Sequence, residues 1–77
     1  MRVRVKYFGR FAVNIGKFSE EIEVPEGITV GKFIEILRSR YRSFKNEEIE
    51  ISIGGKYARK DEPLGNEVAV YPVISGG

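Results

Sequence analysis

Apolar and cationic residues alternate at the start of the chain, a pattern that predicts a strand with one buried face. The apolar positions are Val3, Val5 and Tyr7, and the cations between them are Arg2, Arg4 and Lys6. Phe8 shares the parity of the cations, so we expect its ring on the outer face of a sheet. The next segment, residues 9–17, is interpreted as a loop with three apolar side chains that can tuck under the sheet: Phe11, Val13 and Ile15.

A second strand is predicted from Phe18 to Val24. Its inward side chains are Ile22 and Val24, and its outward ones are Glu21 and Glu23. If the first two strands form a hairpin, these glutamates face the cations of the first strand, and each such pair contributes about 0.2–1 kcal/mol. The residues 24–27 then form a turn, with proline second and glycine fourth.

A helix is predicted from an N-cap at Thr29 to between Phe44 and Asn46. Its apolar residues recur at helical spacing: Val30, Phe33, Ile34, Leu37, Tyr41 and Phe44. Arginines gather towards its C-terminal end, where the helix dipole favours positive charge without any ligand.

The second half of the chain predicts three more strands. Isoleucine alternates with polar residues at 49, 51 and 53, and Gly54-Gly55 is a hairpin signal because both positions of a type I′ turn need positive φ. A short fourth strand, Lys56 to Arg59, pairs back, and Leu64 anchors the following connection in the core. The last strand begins at Glu67.

This last strand is apolar on both parities, with Val68 and Val70 on one side and Ala69, Tyr71 and Val73 on the other. Strands of that kind lie inside a sheet and are covered on both faces. The single predicted helix covers one face only. The sequence therefore predicts an α+β fold with a mixed sheet of four to five strands, one helix across one face, and a partner on the other.

Composition excludes several functions. The 77 residues contain no cysteine and no histidine, which removes the usual nucleophile, general base and metal ligands, so we expect no metal site and no catalysis by this chain alone. A net charge of +2 makes nucleic-acid binding unlikely. Apolar runs are too short for a membrane span and the start lacks a signal peptide, so a cytoplasmic location is expected.

Three stretches resemble the ubiquitin-like β-grasp sulfur carriers, most closely the small subunit of molybdopterin synthase. They are residues 5–12 with an aromatic pair, the proline-leucine turn at 63–69, and the ending Tyr71-Pro72-Val73-Ile74-Ser75-Gly76-Gly77. The resemblance covers essentially the whole chain. One departure is Val73, which stands where the family commonly has a second proline.

The resemblance implies a β-grasp domain over residues 1–73 and a flexible diglycine tail over 74–77. It also implies chemistry at the Gly77 carboxylate, which a partner activating enzyme adenylates with its own ATP and magnesium, this chain binding no cofactor. A sulfur donor then yields a thiocarboxylate for the large subunit of molybdopterin synthase. Ser75 and Gly76 are expected to thread through a narrow channel, since glycine has no Cβ. Pro72 is expected to end the strand ladder.

Docking residues follow partly from the pattern itself. In a β-grasp sheet the first and last strands are parallel neighbours, so Phe8 and Tyr71 share the outer face beside the tail, extended by Ala69 and Val73. An apolar patch rimmed by Arg2, Arg4 and Lys6 is typical of a partner-docking surface.

Three alternatives remain open from the sequence. One is an archaeal protein modifier that is conjugated to lysines, and another is the sulfur carrier of the thiamine pathway. The third is a β-grasp module that binds RNA through its basic strand, although no stacking aromatics lie between the cations.

Overall fold

Five strands and two α-helices make up the computed structural model, which describes residues 1–73. The strands are β1 Arg2–Tyr7, β2 Ser19–Glu23, β3 Ile49–Ile53, β4 Lys56–Tyr57 and β5 Glu67–Pro72. The helices are α1 Arg10–Ile15 and α2 Val30–Arg40, followed by a 3₁₀ turn, Arg42–Phe44. The predicted tail, residues 74–77, lies outside the described residues, as do the expected site residues Ser75, Gly76 and Gly77.

The strands form one mixed sheet in the order β2-β1-β5-β3-β4. Strand β5 is central, parallel to β1 and antiparallel to β3, while the β1–β2 and β3–β4 pairs are antiparallel. This arrangement confirms the predicted mixed sheet, the parallel pairing of the first and last strands, and the interior position of β5.

The core lies between the inner face of the sheet and α2. Side chains that are almost fully buried come from both layers and from the short elements beside them: Val3, Val5, Phe11, Val30, Phe33, Leu37, Phe44, Ile51, Val68 and Val70. Leu64 is buried as predicted. The helix begins as predicted too, because the Thr29 hydroxyl accepts a hydrogen bond of 3.2 Å from the Lys32 N–H.

The predicted end of this helix, between Phe44 and Asn46, is wrong. The α-helix ends at Arg40, and Tyr41 has an extended backbone with φ −129° and ψ 118°. A 3₁₀ turn then carries Phe44 into the core, where its ring meets the Phe11 ring edge to face at 4.7 Å. Tertiary packing of Phe44 therefore overrides the helical spacing of the sequence.

The predicted loop over residues 9–17 is also wrong, because it contains α1. Phe11 and Ala12 on this helix are buried, as expected for Phe11, but Val13 is 80% exposed, so its predicted burial fails. The helix ends at Gly16 in the left-handed conformation, and the Gly16 N–H donates to the Ala12 carbonyl at 2.9 Å.

Strand β4 is two residues long instead of the predicted four. The Ala58 N–H still donates to the Ile51 carbonyl at 2.8 Å, and then the chain turns away to the start of α2. There the Lys60 carbonyl accepts from the Gly31 N–H at 2.9 Å. The N–H groups in the first turn of a helix have no acceptor within the helix. The connection after β4 leaves the sheet and supplies such an acceptor.

The outer faces of β1 and β2 carry the predicted charge pairs. Arg2 contacts Glu23 at 3.1 Å and Arg4 contacts Glu21 at 3.4 Å.

Glu20 lies on β2 too, but its side chain points inward. It contacts residues from three other parts of the chain. Its Oε2 accepts a 2.6 Å hydrogen bond from the Tyr7 hydroxyl and a second one from the Tyr41 hydroxyl, while Lys17 lies 3.4 Å from Oε1. Partial burial alone would raise the pKa of Glu20, but the hydrogen bonds from Tyr41 and Tyr7 and the charge of Lys17 outweigh it, so the pKa is lowered. Burial, followed by the hydrogen bond to Glu20, raises the pKa of Tyr7.

We predict that Glu20→Gln lowers the free energy of unfolding at pH 7 by about 1–3 kcal/mol, since both tyrosines lose a charged acceptor. The lowered pKa of Glu20 in the fold makes its contribution complete above the unfolded pKa of about 4.3. That contribution is lost as the pH falls through the folded pKa. Urea unfolding from pH 7 to pH 3 should therefore show the two proteins converging in acid. Glu21→Gln, which breaks an exposed pair, is the control, and a constant difference across this range would contradict the prediction.

Gly9 and Pro72 close the end of the β1–β5 pair. Gly9 has φ 61° and ψ −143°, a region open essentially to glycine, and a Cβ built there lies 3.3 Å from Cγ of Pro72. On this side the ladder ends as expected at Pro72, after the Phe8 N–H donates to the Val70 carbonyl at 3.0 Å. On the β3 side it continues, because the Val73 N–H donates to the Glu48 carbonyl at 3.4 Å.

We predict that Gly9→Ala destabilises the protein by about 1–3 kcal/mol through its disallowed backbone conformation. The contact with Pro72 adds to this cost. Gly16→Ala is a matched control, because its φ of 77° is also positive but a Cβ there meets nothing within 4 Å. Thermal unfolding should show a clearly larger fall in Tm for the Gly9 variant. Gly16 is in the αL region, which other residues reach at modest cost, so equal losses at both positions would mean that neither the backbone conformation of Gly9 nor its contact with Pro72 adds to that cost.

Candidate functional site

Two aromatic rings from the central strands stack on the outer face of the sheet. The parallel register pairs Lys6 with Ala69 and Tyr7 with Val70, which brings Phe8 beside Tyr71. Their ring centroids are 4.6 Å apart, and the ring planes differ by 11°. Phe8 is 39% exposed although large apolar side chains are mostly buried in this fold. The structure thus brings together the two aromatic residues that the strand pattern predicts on one face.

A third aromatic residue, Tyr57, extends this surface and was missed by the sequence reasoning. It is 67% exposed, and its ring meets the Tyr71 ring edge to face at 6.1 Å. The signal was available, because the Gly54-Gly55 hairpin sets the register Ser52 to Tyr57 and paired residues share a face. Ser52 in turn pairs with Ala69, so Tyr57 had to lie on the outer face.

A shallow groove of about 240 Å³ runs between these rings and the β3–β4 hairpin. Ala69 and Ser52 lie along it, with Ser52 largely buried. Lys6 and Glu67 line its polar margin. We call Phe8, Tyr57, Ala69 and Tyr71 together the aromatic patch. An apolar centre with a few charges at its margin is the usual composition of a protein-docking surface.

The predicted rim of three cations is wrong in part. Arg2 and Arg4 are engaged by the glutamates of β2, whereas Lys6 makes no salt bridge within residues 1–73. Lys6 therefore is the cation of β1 that remains available at the margin of the patch. Two of the three alternating cations are therefore neutralised by glutamates within the β1–β2 hairpin. The outer face of β1 is not a continuous basic surface.

Val73 lies apart from the groove. It lines a separate, more polar pocket of about 270 Å³ with Arg10, Asn46, Glu47 and Glu48. Arg10 and Glu47 form a two-point ion pair there, with the shortest contact at 2.7 Å, and this hydrogen bond holds the pKa of Glu47 below its usual range. Val73 is the last described residue. It directly follows β5, and its side chain lies in the same pocket as this ion pair.

The groups on this face are apolar rings with a few charges at their margin, a composition suited to binding a partner. Within residues 1–73, no three carboxylate, histidine or cysteine side chains are grouped so that they could hold a metal ion. In the same part of the chain, no helix is long and apolar enough to cross a membrane. What the arrangement provides is shape: three aromatic rings beside the end of β5.

Two crystal structures of one archaeal protein resemble this fold. They show SAMP1, small archaeal modifier protein 1, from Haloferax volcanii. One has a TM-score of 0.80 at 22% identity and covers 100% of both chains. The other has a TM-score of 0.78 at 20% identity and covers 95% of this chain and 98% of the other. At these identities the likeness shows the fold.

A second likeness is closer in sequence. A Pyrococcus furiosus protein, provisionally assigned as subunit 1 of molybdopterin converting factor, is 36% identical, with a TM-score of 0.85 and coverage of 96% of this chain and 99% of the other. The model of the ThiS family matches residues 5–77. Small carriers of this kind bind no cofactor themselves and work with activating enzymes and partner subunits. The chain therefore belongs to the ThiS family, and its fold is the ubiquitin-like β-grasp.

Proposed function

We propose that this protein is a sulfur carrier whose reactive group is the carboxylate of Gly77, and that it serves as the small subunit of a molybdopterin synthase. The observation that carries the proposal is the aromatic patch next to the end of β5, on a chain of the ThiS family. The resemblance to the assigned Pyrococcus protein supports the molybdopterin role over the thiamine pathway.

The proposed chemistry takes place in two steps on a partner enzyme. A Gly77 carboxylate oxygen attacks the α-phosphorus of ATP bound there with magnesium, which forms an acyl-adenylate and releases pyrophosphate. A sulfur nucleophile then attacks the acyl carbon, AMP leaves with the electron pair of its bond, and a thiocarboxylate remains. This chain supplies the carboxyl group, while metal and nucleotide belong to the activating enzyme.

The residues of this chain then act by positioning. Ser75 and Gly76 form a narrow segment between the domain of residues 1–73 and the reactive end, and the absence of Cβ atoms at 76 and 77 suits a tight channel. The aromatic patch docks first and fixes the domain, so that the tail needs only to reach forward. Holding a reacting group in place in this way can supply several kcal/mol of the barrier, up to about 7–11 kcal/mol in well-oriented reactions.

A second candidate function is a protein modifier that is conjugated to lysines. The resemblance to small archaeal modifier protein 1 favours it, and it requires the same activated tail. The two roles differ only in what attacks the adenylate or its descendant, a sulfur donor or a lysine amine.

The first test is intact-mass analysis after incubation with the cognate activating enzyme, magnesium-ATP and sulfide. We expect the mass to rise by the replacement of one oxygen by sulfur, and the change to map to the C-terminal peptide. Deletion of Gly77 should abolish it. Other proteins linked through a lysine to the C-terminus of this chain would favour the modifier role. An active enzyme that forms neither adenylate nor thiocarboxylate would overturn the proposal.

The second test concerns the aromatic patch. Phe8→Ser and Tyr71→Ser should each raise the KM of the activating enzyme for the carrier by at least about tenfold, because truncation of an aromatic hot-spot residue costs about 2 kcal/mol or more of binding energy. Tyr71→Phe should retain most of the affinity.

Ile36→Ser is the control, since this partly exposed apolar side chain lies on α2, on the other side of the sheet from the patch. It should change KM less than twofold. Thermal unfolding of each variant separates lost docking from lost folding. Equal effects at Ile36 and Phe8 would contradict docking through the patch.

A further inference from the structure

A second groove, of about 480 Å³, runs along the opposite side of the sheet, between α2 and the open side of β3. One wall is formed by Val30 and Ile34 on the helix. The other is formed by Ile49, Ile51 and Ala58. The groove shares none of the residues of the aromatic patch, so it is a separate surface with its own chemistry.

Part of the β3 backbone faces this groove without a partner strand. The Glu48 carbonyl accepts from Val73, directly after β5, whereas the Ile51 carbonyl accepts from Ala58 on the other side. Since backbone groups alternate along a strand, those of Ile49 and Ile51 point to the open side. Strand β4 pairs only with residues 52 and 53.

Three hydrogen-bonding groups therefore remain on this edge. Within residues 1–73, the Ile49 N–H, the Ile49 carbonyl and the Ile51 N–H make no hydrogen bond to the 58–62 connection. An open strand edge of this kind is a template for an added strand, and it is uncovered here because the connection leaves to supply Gly31 of α2.

Cationic side chains line one end of the groove, and another, on α2, lies one helical turn beyond the groove at the opposite end. Arg38 continues the helical stripe of Val30 and Ile34 by one turn, and its Nη2 donates to the Glu47 carbonyl at 2.8 Å. The Arg38 Nε is buried and has no hydrogen-bond partner among the described residues. At the other end lie Arg59, paired with Asp61, and Lys60, which makes no salt bridge within residues 1–73.

We propose that this groove binds an extended peptide segment of a partner protein, added to the Ile49–Ile51 edge of β3 as a further strand. Its alternate apolar side chains pack on Val30 and Ile34. An acidic residue at one end meets Arg38 and one at the other end meets Lys60, which gives the segment its direction along the edge. The proposal goes beyond the carrier role and does not rest on it.

The groove also explains why the occupant is a strand and not a helix. A helix satisfies its own backbone groups. It would leave the Ile49 N–H, the Ile49 carbonyl and the Ile51 N–H unpaired and buried, at a cost of about 1–3 kcal/mol for each group. An extended segment satisfies them with its own N–H and C=O groups.

The test uses a seven-residue synthetic peptide, blocked at both termini, that alternates valine and threonine and carries an aspartate at each end. Titration followed by NMR should shift the amide signals of Ile49 and Ile51 and slow their hydrogen exchange, while Phe8 and Tyr71 remain unchanged. A matched peptide with N-methyl groups on its pairing edge cannot donate and should fail to bind.

Two variants test the charged ends. Arg38→Gln and Lys60→Glu should each weaken binding about tenfold, as expected when one charge-assisted hydrogen bond is lost. Arg40→Gln, on the same helix but beside Glu20, should leave the affinity unchanged. Lys60→Glu keeps the test valid if Arg38→Gln loses stability with its contact to Glu47.

Three outcomes would overturn the proposal. Shifts confined to Phe8 and Tyr71 would place the peptide on the aromatic patch. Equal binding of the methylated peptide would exclude strand addition. Slow exchange at Ile49 in the free protein, with sedimentation showing a concentration-dependent dimer, would assign the edge to a second copy of this chain.

Discussion

The parallel pairing of β1 with β5 is the contact on which the rest of the structure depends. It joins residues more than sixty positions apart in the sequence and places the two strands side by side at the centre of the sheet. The inward side chains of both strands, Val3, Val5, Val68 and Val70, are almost fully buried against α2. Because the strands run in the same direction, they also end at the same edge. Phe8 and Tyr71 are stacked for that reason, and they lie where β1 and β5 end.

The same pairing explains why an apolar surface is left open. A central strand has two faces, and within residues 1–73 the helical elements, α2 above all, cover one of them. The outer side chains of β5 are then Ala69 and Tyr71, which are half-buried by their neighbours and not by a second layer. A polar side chain in place of Tyr71 would be equally compatible with exposure to solvent. An aromatic triad at this position is understandable as a surface that a partner covers.

The local sequence pattern was sufficient to predict the structure wherever the spacing of apolar residues agreed with their burial. The alternation in β1, the N-cap at Thr29, the Gly54-Gly55 hairpin and the central position of β5 could all be predicted from the sequence. The stack of Phe8 on Tyr71 followed from parity plus one assumption, that the first and last strands are parallel. These features are set by contacts between near neighbours or by a strand's overall polarity.

The failures share a different cause, which is packing at a distance. Phe44 leaves the helix early because the ring of Phe11 receives it, and α1 forms where glycines suggested a loop because Phe11 and Ala12 are buried beneath it. The sequence pattern does not single out Glu20, because its two tyrosine partners come from β1 and from the end of α2. None of these partners is visible in a window of neighbouring residues. They require the tertiary structure.

The charges of the outer face bear on the proposed function, in which one small surface has to dock on more than one enzyme. Arg2 and Arg4 are neutralised by glutamates of β2, so the face presents aromatic shape with little net charge beyond Lys6 and Glu67. Exposed charge pairs contribute little to affinity, whereas buried aromatic rings contribute much of it. A carrier that visits an activating enzyme and then a sulfur acceptor needs contacts that both can satisfy. Apolar rings meet that need better than a fixed pattern of charges, because each partner only has to offer a complementary apolar hollow and not a matching set of ions.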